Sequence, residues 1–157
     1  MGTVEDIIQQ KKFNDDYHRA FVGLAYLYNV IDYNQQKVFK EYDITPQQYN
    51  ALRILRGQHP KPATVGLIKD RMIDRNSDAS RIVERLRKAG HVERVTCEND
   101  RRAVDVIITE KGLALLKTLD PIVHTMNDPL KTLEKDEIAD LNGMLDKLLA
   151  RWLERNN

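Results

Sequence analysis

The stretch around Gly90 constrains this chain most, because the spacing of its apolar residues changes there from helical to alternating. Before it, Ala79, Ile82, Val83, Leu86 and Ala89 share one helical face, while Ser80, Arg81, Glu84, Arg85, Arg87 and Lys88 lie elsewhere. Gly90 is placed to end that helix, since glycine takes the left-handed backbone of a helix stop at no steric cost. After it, Val92 and Val95 lead to a polar tip running from Glu98 to Arg102, and Val104, Val106 and Ile108 alternate as strand residues do. An amphipathic helix leading directly into a β-hairpin with a charged tip is the expected product.

Punctuation upstream places two more short helices ahead of this one. Ile44-Thr45-Pro46-Gln47-Gln48 has the form of a capping box: Thr45 caps, Pro46 suits the first turn and Gln48 reaches back. A helix through Tyr49, Leu52 and Leu55 follows. Residues 57–62, with one glycine and two prolines, predict a loop; Thr64 then caps a helix containing Leu67, Ile68 and Met72, and a turn falls at 74–76. A long first helix is expected from the single stripe of Tyr17, Phe21, Leu24, Tyr28 and Ile31, ending by Tyr42-Asp43. Beyond the hairpin, Thr109 caps a helix through Leu113, Leu116 and Leu119, which Pro121 is expected to kink or interrupt. Asp128-Pro129 marks a second break. The last helix carries Ile138, Leu141, Leu145, Leu148 and Trp152 at the seam spacing of helices that pack lengthwise.

These elements predict a mainly α chain with a small β-hairpin wing, that is, a winged helix-turn-helix with long N- and C-terminal dimerisation helices. The 157 residues are expected to form a single domain, 1–157, with a reading part at 44–112 and helical dimerisation parts at 5–43 and 113–157. No run approaches the ~20 apolar residues of a membrane span, the N-terminus lacks the pattern of a signal peptide, and Cys97 has no second cysteine to pair with. A cytoplasmic protein with no membrane partner is therefore expected. The net charge of +1 hides an uneven distribution: residues 1–60 carry 7 basic and 7 acidic side chains, 61–118 carry 13 and 9, and 119–157 carry 5 and 8. A basic middle between neutral and acidic flanks fits a polyanion-binding module inside a protein-contacting frame.

Three short helices and a hairpin make the arrangement in which the last helix enters the major groove of double-stranded DNA and the hairpin reaches along the backbone or minor groove. The DNA-binding candidates are then Asn76, Ser77, Asp78, Ser80, Arg81 and Arg85 at the recognition helix, Thr64 before it, and Arg101 and Arg102 in the wing. Arg81 can donate two hydrogen bonds to a guanine, or else pair with Glu84 on the surface; Ser77 and Ser80 can reach bases or phosphates. Asp78 can accept from a cytosine or simply serve the positive end of the helix. Arg101 and Arg102 suit the negative potential of a minor groove, with Asp100 orienting one of them. Tyr17, Phe21, Leu141, Leu145, Leu148 and Trp152 are the dimer-interface candidates, with ordinary packing inside one chain as the alternative.

Other chemistry is poorly served. His18, His59, His91 and His124 are scattered without ligand spacing, so no metal site is expected. The chain carries no Gly-rich phosphate loop, Ser-His-Asp set or paired-carboxylate motif, and neither an enzyme nor a cofactor is expected. The rival reading is a winged-helix module that binds protein without specific DNA readout. That module would want apolar or aromatic anchors where arginines and serines stand here. A small-molecule pocket can lie between the dimer helices and the reading head near Tyr28, Tyr33 or Tyr49, although helical spacing also explains these tyrosines as core.

Residues 77–90, SDASRIVERLRKAG, together with DRRAV at 100–104 and TEKG at 109–112, resemble the MarR family of winged-helix regulators. The likeness extends more loosely over nearly the whole chain. It implies a homodimer built from both chain ends on a pseudo-palindromic site, usually a repressor, often released by a small ligand or by oxidation. The chain departs from the family pattern at Asp78, where a threonine is frequent, and at Arg75, where a capping serine is common. The base preference is thus open, and Asn76 or Asp74 can serve as the cap. The reactive cysteine of peroxide-sensing relatives lies in the first helix, so Cys97 does not map onto it. Cys97 reads as a small residue unless Arg94 or Arg101 lowers its pKa.

Overall fold

Side-chain caps set where the helices begin. In the computed structural model, which describes residues 2–96, 104–126 and 128–155, α1 (Val4–Ile8) starts from a capping box at Thr3. Asp15 opens α2 (Asp16–Lys40) by accepting the His18 amide at 2.7 Å. α3 (Pro46–Gln58) has the expected capping box: Thr45 Oγ1 accepts from the Gln48 amide at 3.2 Å and Gln48 Oε1 from the Thr45 amide at 2.8 Å. Two donors that the first turn would otherwise leave orphaned are thereby satisfied. Thr64 caps α4 (Val65–Arg71), and Asp78 caps α5 (Ala79–Lys88) by accepting the Arg81 amide at 3.1 Å. The helix thus starts two residues past Ser77, and neither Asn76 nor Asp74 is its cap. The Asp74 carboxylate is occupied by the preceding turn, where it accepts the Asn76 amide at 3.0 Å and the Ser77 hydroxyl at 2.8 Å.

β2 (Val92–Thr96) and β3 (Val104–Ile108) form the expected antiparallel hairpin, with Val92 opposite Ile108 and Thr96 opposite Val104. A third strand that the sequence does not announce, β1 (Ala63–Thr64), pairs with the other edge of β3 and places Ala63 opposite Val106, giving the order β1-β3-β2. Two residues are too few to show a period, and Thr64 advertises its other role as a cap. Opposed residues share a face of the sheet, so Ala63, Val92, Val106 and Ile108 all point inward, and all are buried.

The chain forms two compact units, residues 1–116 and 117–157. In the first, α3 and α4 both pack on α5, and Leu52, Leu55, Ile68, Val83 and Leu86 are fully buried. Phe39, near the end of α2, stacks on Tyr49 with ring centroids 4.6 Å apart and so ties α2 to α3. The α2 stripe of Tyr17, Phe21, Leu24, Tyr28 and Ile31 faces outward instead: Tyr17 is 87% exposed and Phe21 63%.

α6 (Glu110–Thr125) starts at Thr109, whose Oγ1 accepts the Gly112 amide at 3.2 Å. It runs through Pro121 to Thr125, so of the kink or interruption expected there the interruption does not occur. Pro121 and Lys117, whose carbonyl loses a donor to the proline ring, are both exposed, and water can serve that carbonyl. The second break is present as a 3-10 turn, Asp128–Thr132, before α7 (Lys135–Arg155). On α7 Leu141 is half-buried, whereas Leu145, Leu148 and Trp152 are exposed. Among the described residues no helix is long and apolar enough to cross a membrane.

Candidate nucleic-acid interface

Burial of Ala79, Val83 and Leu86 turns the other side of α5 to solvent. Ser80, Arg81, Arg85 and Lys88 stand exposed there, and 81, 85 and 88 lie along one stripe at helical spacing. Ion pairing then sorts the basic residues. Glu84 is held by Arg87 through two hydrogen bonds, at 2.9 and 3.1 Å, and by Arg94 of β2 at 3.2 Å. The surface pair between Arg81 and Glu84 is not formed. Helical side chains lean toward the N-terminus, so Arg87 leans onto Glu84 while Arg81 leans away from it. The Arg87 hydrogen bond, reinforced by the charges of Arg87, Arg94 and Lys88, holds the Glu84 carboxyl below its usual range. Among the described residues no carboxylate lies within 4.0 Å of the Arg81 or Arg85 guanidinium.

The first turn of α5 divides its polar groups in the same way. The Ser77 hydroxyl donates to Asp74, which leaves it an acceptor, and one Asp78 oxygen is engaged as the cap. The helix-end role open for Asp78 in the sequence is therefore realised. Thr64 Oγ1 accepts the Leu67 amide at 3.1 Å, and the Ile73 amide donates to Asn50 Oδ1 at 3.0 Å, which anchors the turn to α3. A cleft of about 320 Å³ opens where Lys69 and Gly66 of α4 face Arg75, Asn76, Ser77 and Ser80. Lys69 and Arg75 thus join the site. Their positions on either side of the turn, rather than any motif, were the signal that could have found them. Residues 97–103 lie outside the described residues, and Cys97, Asp100, Arg101 and Arg102 with them.

The far end of α5 is closed by Gly90, with φ of 77°. Next to it His91 is buried, and burial, followed by the charge of Lys111, pushes its pKa below the ordinary 6.5. An unfolded chain would therefore take up this proton first. Stability should fall as the pH drops below about 6.5 and level off only beneath the lowered value. Urea unfolding midpoints measured from about pH 8 to 5.5 should show this slope, and His91→Gln should flatten it. An unchanged slope in the variant would assign the effect to other groups.

Two clefts border the junction of α2 and α3. One, of about 730 Å³, is lined by Tyr33, Gln36, Lys37 and Lys40 together with the start of α3; the other, about 90 Å³, lies beside Tyr28, Ile31, Met72 and Ile73. Tyr49 belongs to neither. It is 8% exposed and core, with the Arg53 guanidinium 6.0 Å from its ring centroid.

A helix-turn-helix backed by a three-stranded sheet, with unpaired arginines along the outward stripe of its second helix, defines a winged helix-turn-helix protein. A MarR family profile matches residues 42–103. The transcriptional repressor MprA of Escherichia coli (strain K12) is 30% identical over 122 residues, 75% of this chain and 68% of MprA. The crystal structure of a MarR transcription factor from Planctomyces limnophilus is 31% identical with a TM-score of 0.67, over 86% of this chain and 98% of that one. MepR of S. aureus, solved as a DNA complex, shares the fold at 19% identity and a TM-score of 0.77, over 89% and 99% of the two chains. The chain belongs to the MarR family of winged-helix transcriptional regulators.

Proposed function

We propose that the chain works as a cytoplasmic homodimer that reads a pseudo-palindromic operator through two copies of α5, represses transcription there, and is released by a small ligand. The observation that carries this reading is the outward stripe of α5, where Arg81 and Arg85 stand exposed with no carboxylate partner among the described residues while Arg87 is held by Glu84. An arginine without an ion pair keeps its planar fork available for the O6 and N7 acceptors of guanine. Ser80, Asn76, Lys69 and Arg75 border the helix start and suit phosphates, as does Thr64. Ser77 and Asp78 can only accept there. Arg101 and Arg102, one of them oriented by Asp100, complete the reading in the adjoining minor groove.

Dimerisation is supported by the apolar stripes left bare on α2 and α7, since exposed apolar area on this scale marks an interaction surface. Tyr17, Phe21, Leu141, Leu145, Leu148 and Trp152 are the contacts. A two-fold dimer presents its recognition helices to matching half-sites. Repression is supported by the likeness to MprA, itself named a repressor. The 730 Å³ groove supports ligand release, and Lys37 and Lys40 beside Tyr33 suit a small aromatic anion. Fluorescence anisotropy tests the reading, using a duplex selected from a randomised library, random competitor and a salt series. Binding of two chains per duplex, steeply weakened by salt and surviving the competitor, is expected. Selection of no preferred duplex would overturn DNA reading, and a natively helical monomer at micromolar concentration would overturn the dimer.

A further inference from the structure

We propose that Lys111 is a positioning residue for DNA reading, holding the C-terminal end of α5 from the first turn of α6. Three consecutive carbonyls at the end of the recognition helix are each met by this segment. Lys111 Nζ donates to the Ala89 carbonyl at 2.7 Å, the Thr109 hydroxyl to the Gly90 carbonyl at 2.8 Å, and the Thr109 amide to the His91 carbonyl at 3.0 Å. Gly112 lies so close to the same His91 carbonyl that a Cβ there would stand 2.4 Å from the oxygen. The chain closes its own side of the junction with Gly90 donating to Arg87 at 2.9 Å and His91 to Leu86 at 2.9 Å.

The chemistry of a helix end explains the choice of residue. The last carbonyls of a helix lack intrahelical donors and carry the negative end of its dipole, so an ammonium both satisfies and stabilises them. Other cations near this end do not take the position: Arg87 is turned onto Glu84, and Lys88 stands exposed on the outward stripe. α5 is 10 residues long, capped at one end by Asp78 and clipped at the other by Lys111. Bidentate contact with a base edge tolerates errors of only about half an ångström in the group that presents it. The clip thus bears on specific reading more than on attraction to phosphate. This inference rests on the DNA reading proposed above.

The test compares wild type with Lys111→Met, Lys111→Gln and Lys111→Arg on two duplexes, one selected by the wild type from a randomised library and one random, across a salt series. Circular dichroism checks that each variant keeps its helix content. For Lys111→Met, specific affinity should fall about fivefold, the size of a cation's effect at a helix end. Random-duplex affinity and the salt slope should stay unchanged. Lys111→Arg should restore the specific affinity, and Lys111→Gln, a neutral donor, should fall between; should Lys111→Met not fold, Lys111→Gln carries the comparison. A salt slope shallower by about one phosphate, with equal losses on both duplexes, would make Lys111 a backbone contact and overturn the proposal. An unchanged ratio of specific to random affinity would overturn it as well. Failure of the wild type to select any duplex would instead sink the DNA reading, and this inference with it.

Discussion

Replacing Arg81 by alanine is expected to weaken binding to the preferred duplex by about 1–3 kcal/mol, on the order of ten- to hundredfold, and to relax the preference at one position in each half-site. The size follows from its surroundings. Arg81 is exposed on the outward stripe of α5, one turn from the Asp78 cap, with no carboxylate among the described residues within 4.0 Å of its guanidinium. Substituting it therefore removes a donor available to a base, whereas Arg87→Ala breaks an exposed pair with Glu84 of little worth. The two variants, compared by anisotropy on selected and random duplexes, separate these roles. Equal losses for Arg81→Ala on both duplexes would make it a phosphate contact, and loss confined to Arg87→Ala would reverse the assignment of the two arginines.

Gly112→Ala is expected to destabilise the fold by about 1–3 kcal/mol, although alanine in place of glycine ordinarily favours a helix by up to about 1 kcal/mol. The added Cβ would stand 2.4 Å from the His91 carbonyl oxygen and 2.7 Å from Cγ1 of Ile108. Neither neighbour can yield cheaply. The His91 carbonyl accepts from the Thr109 amide, and Ile108 is buried in the sheet. Gly66→Ala in α4 is the control, because its Cβ would meet nothing closer than 3.7 Å; it should be neutral or stabilising. Urea unfolding of both variants decides the matter. If the two proved equally stable, the close approach of α6 to His91 would not constrain the fold.

Much of the reading part was legible because its signals are local. The Thr45–Gln48 capping box, the Thr64 and Thr109 caps, the Gly90 stop and the alternation of Val104, Val106 and Ile108 each involve residues a few positions apart. A side chain and a backbone group at such separation meet whenever the helix or strand forms. The cap of α5 was misplaced: the sequence offered Asn76 or Asp74, competent by residue type, and the structure uses Asp78. The turn decided this by engaging the Asp74 carboxylate.

Pairings between distant segments were left to the tertiary structure. Glu84 could not be assigned to a partner from its helix alone, because Arg94 reaches it from β2 and adds to the hold of Arg87. Ala63 became a strand residue only because the far edge of β3 was open to it. Tyr49 became core where Phe39 stacks on it, while Tyr28 and Tyr33 were left beside clefts. Lys111 and Gly112 acquired their roles only when the start of α6 came to rest against the end of α5. The sequence by itself thus determined the main helices and the hairpin of the reading part, through contacts within a turn or two, but not β1 or the passage of α6 through Pro121. Only the packed structure decided which charges are engaged and which stay available, because those partners are far apart along the chain.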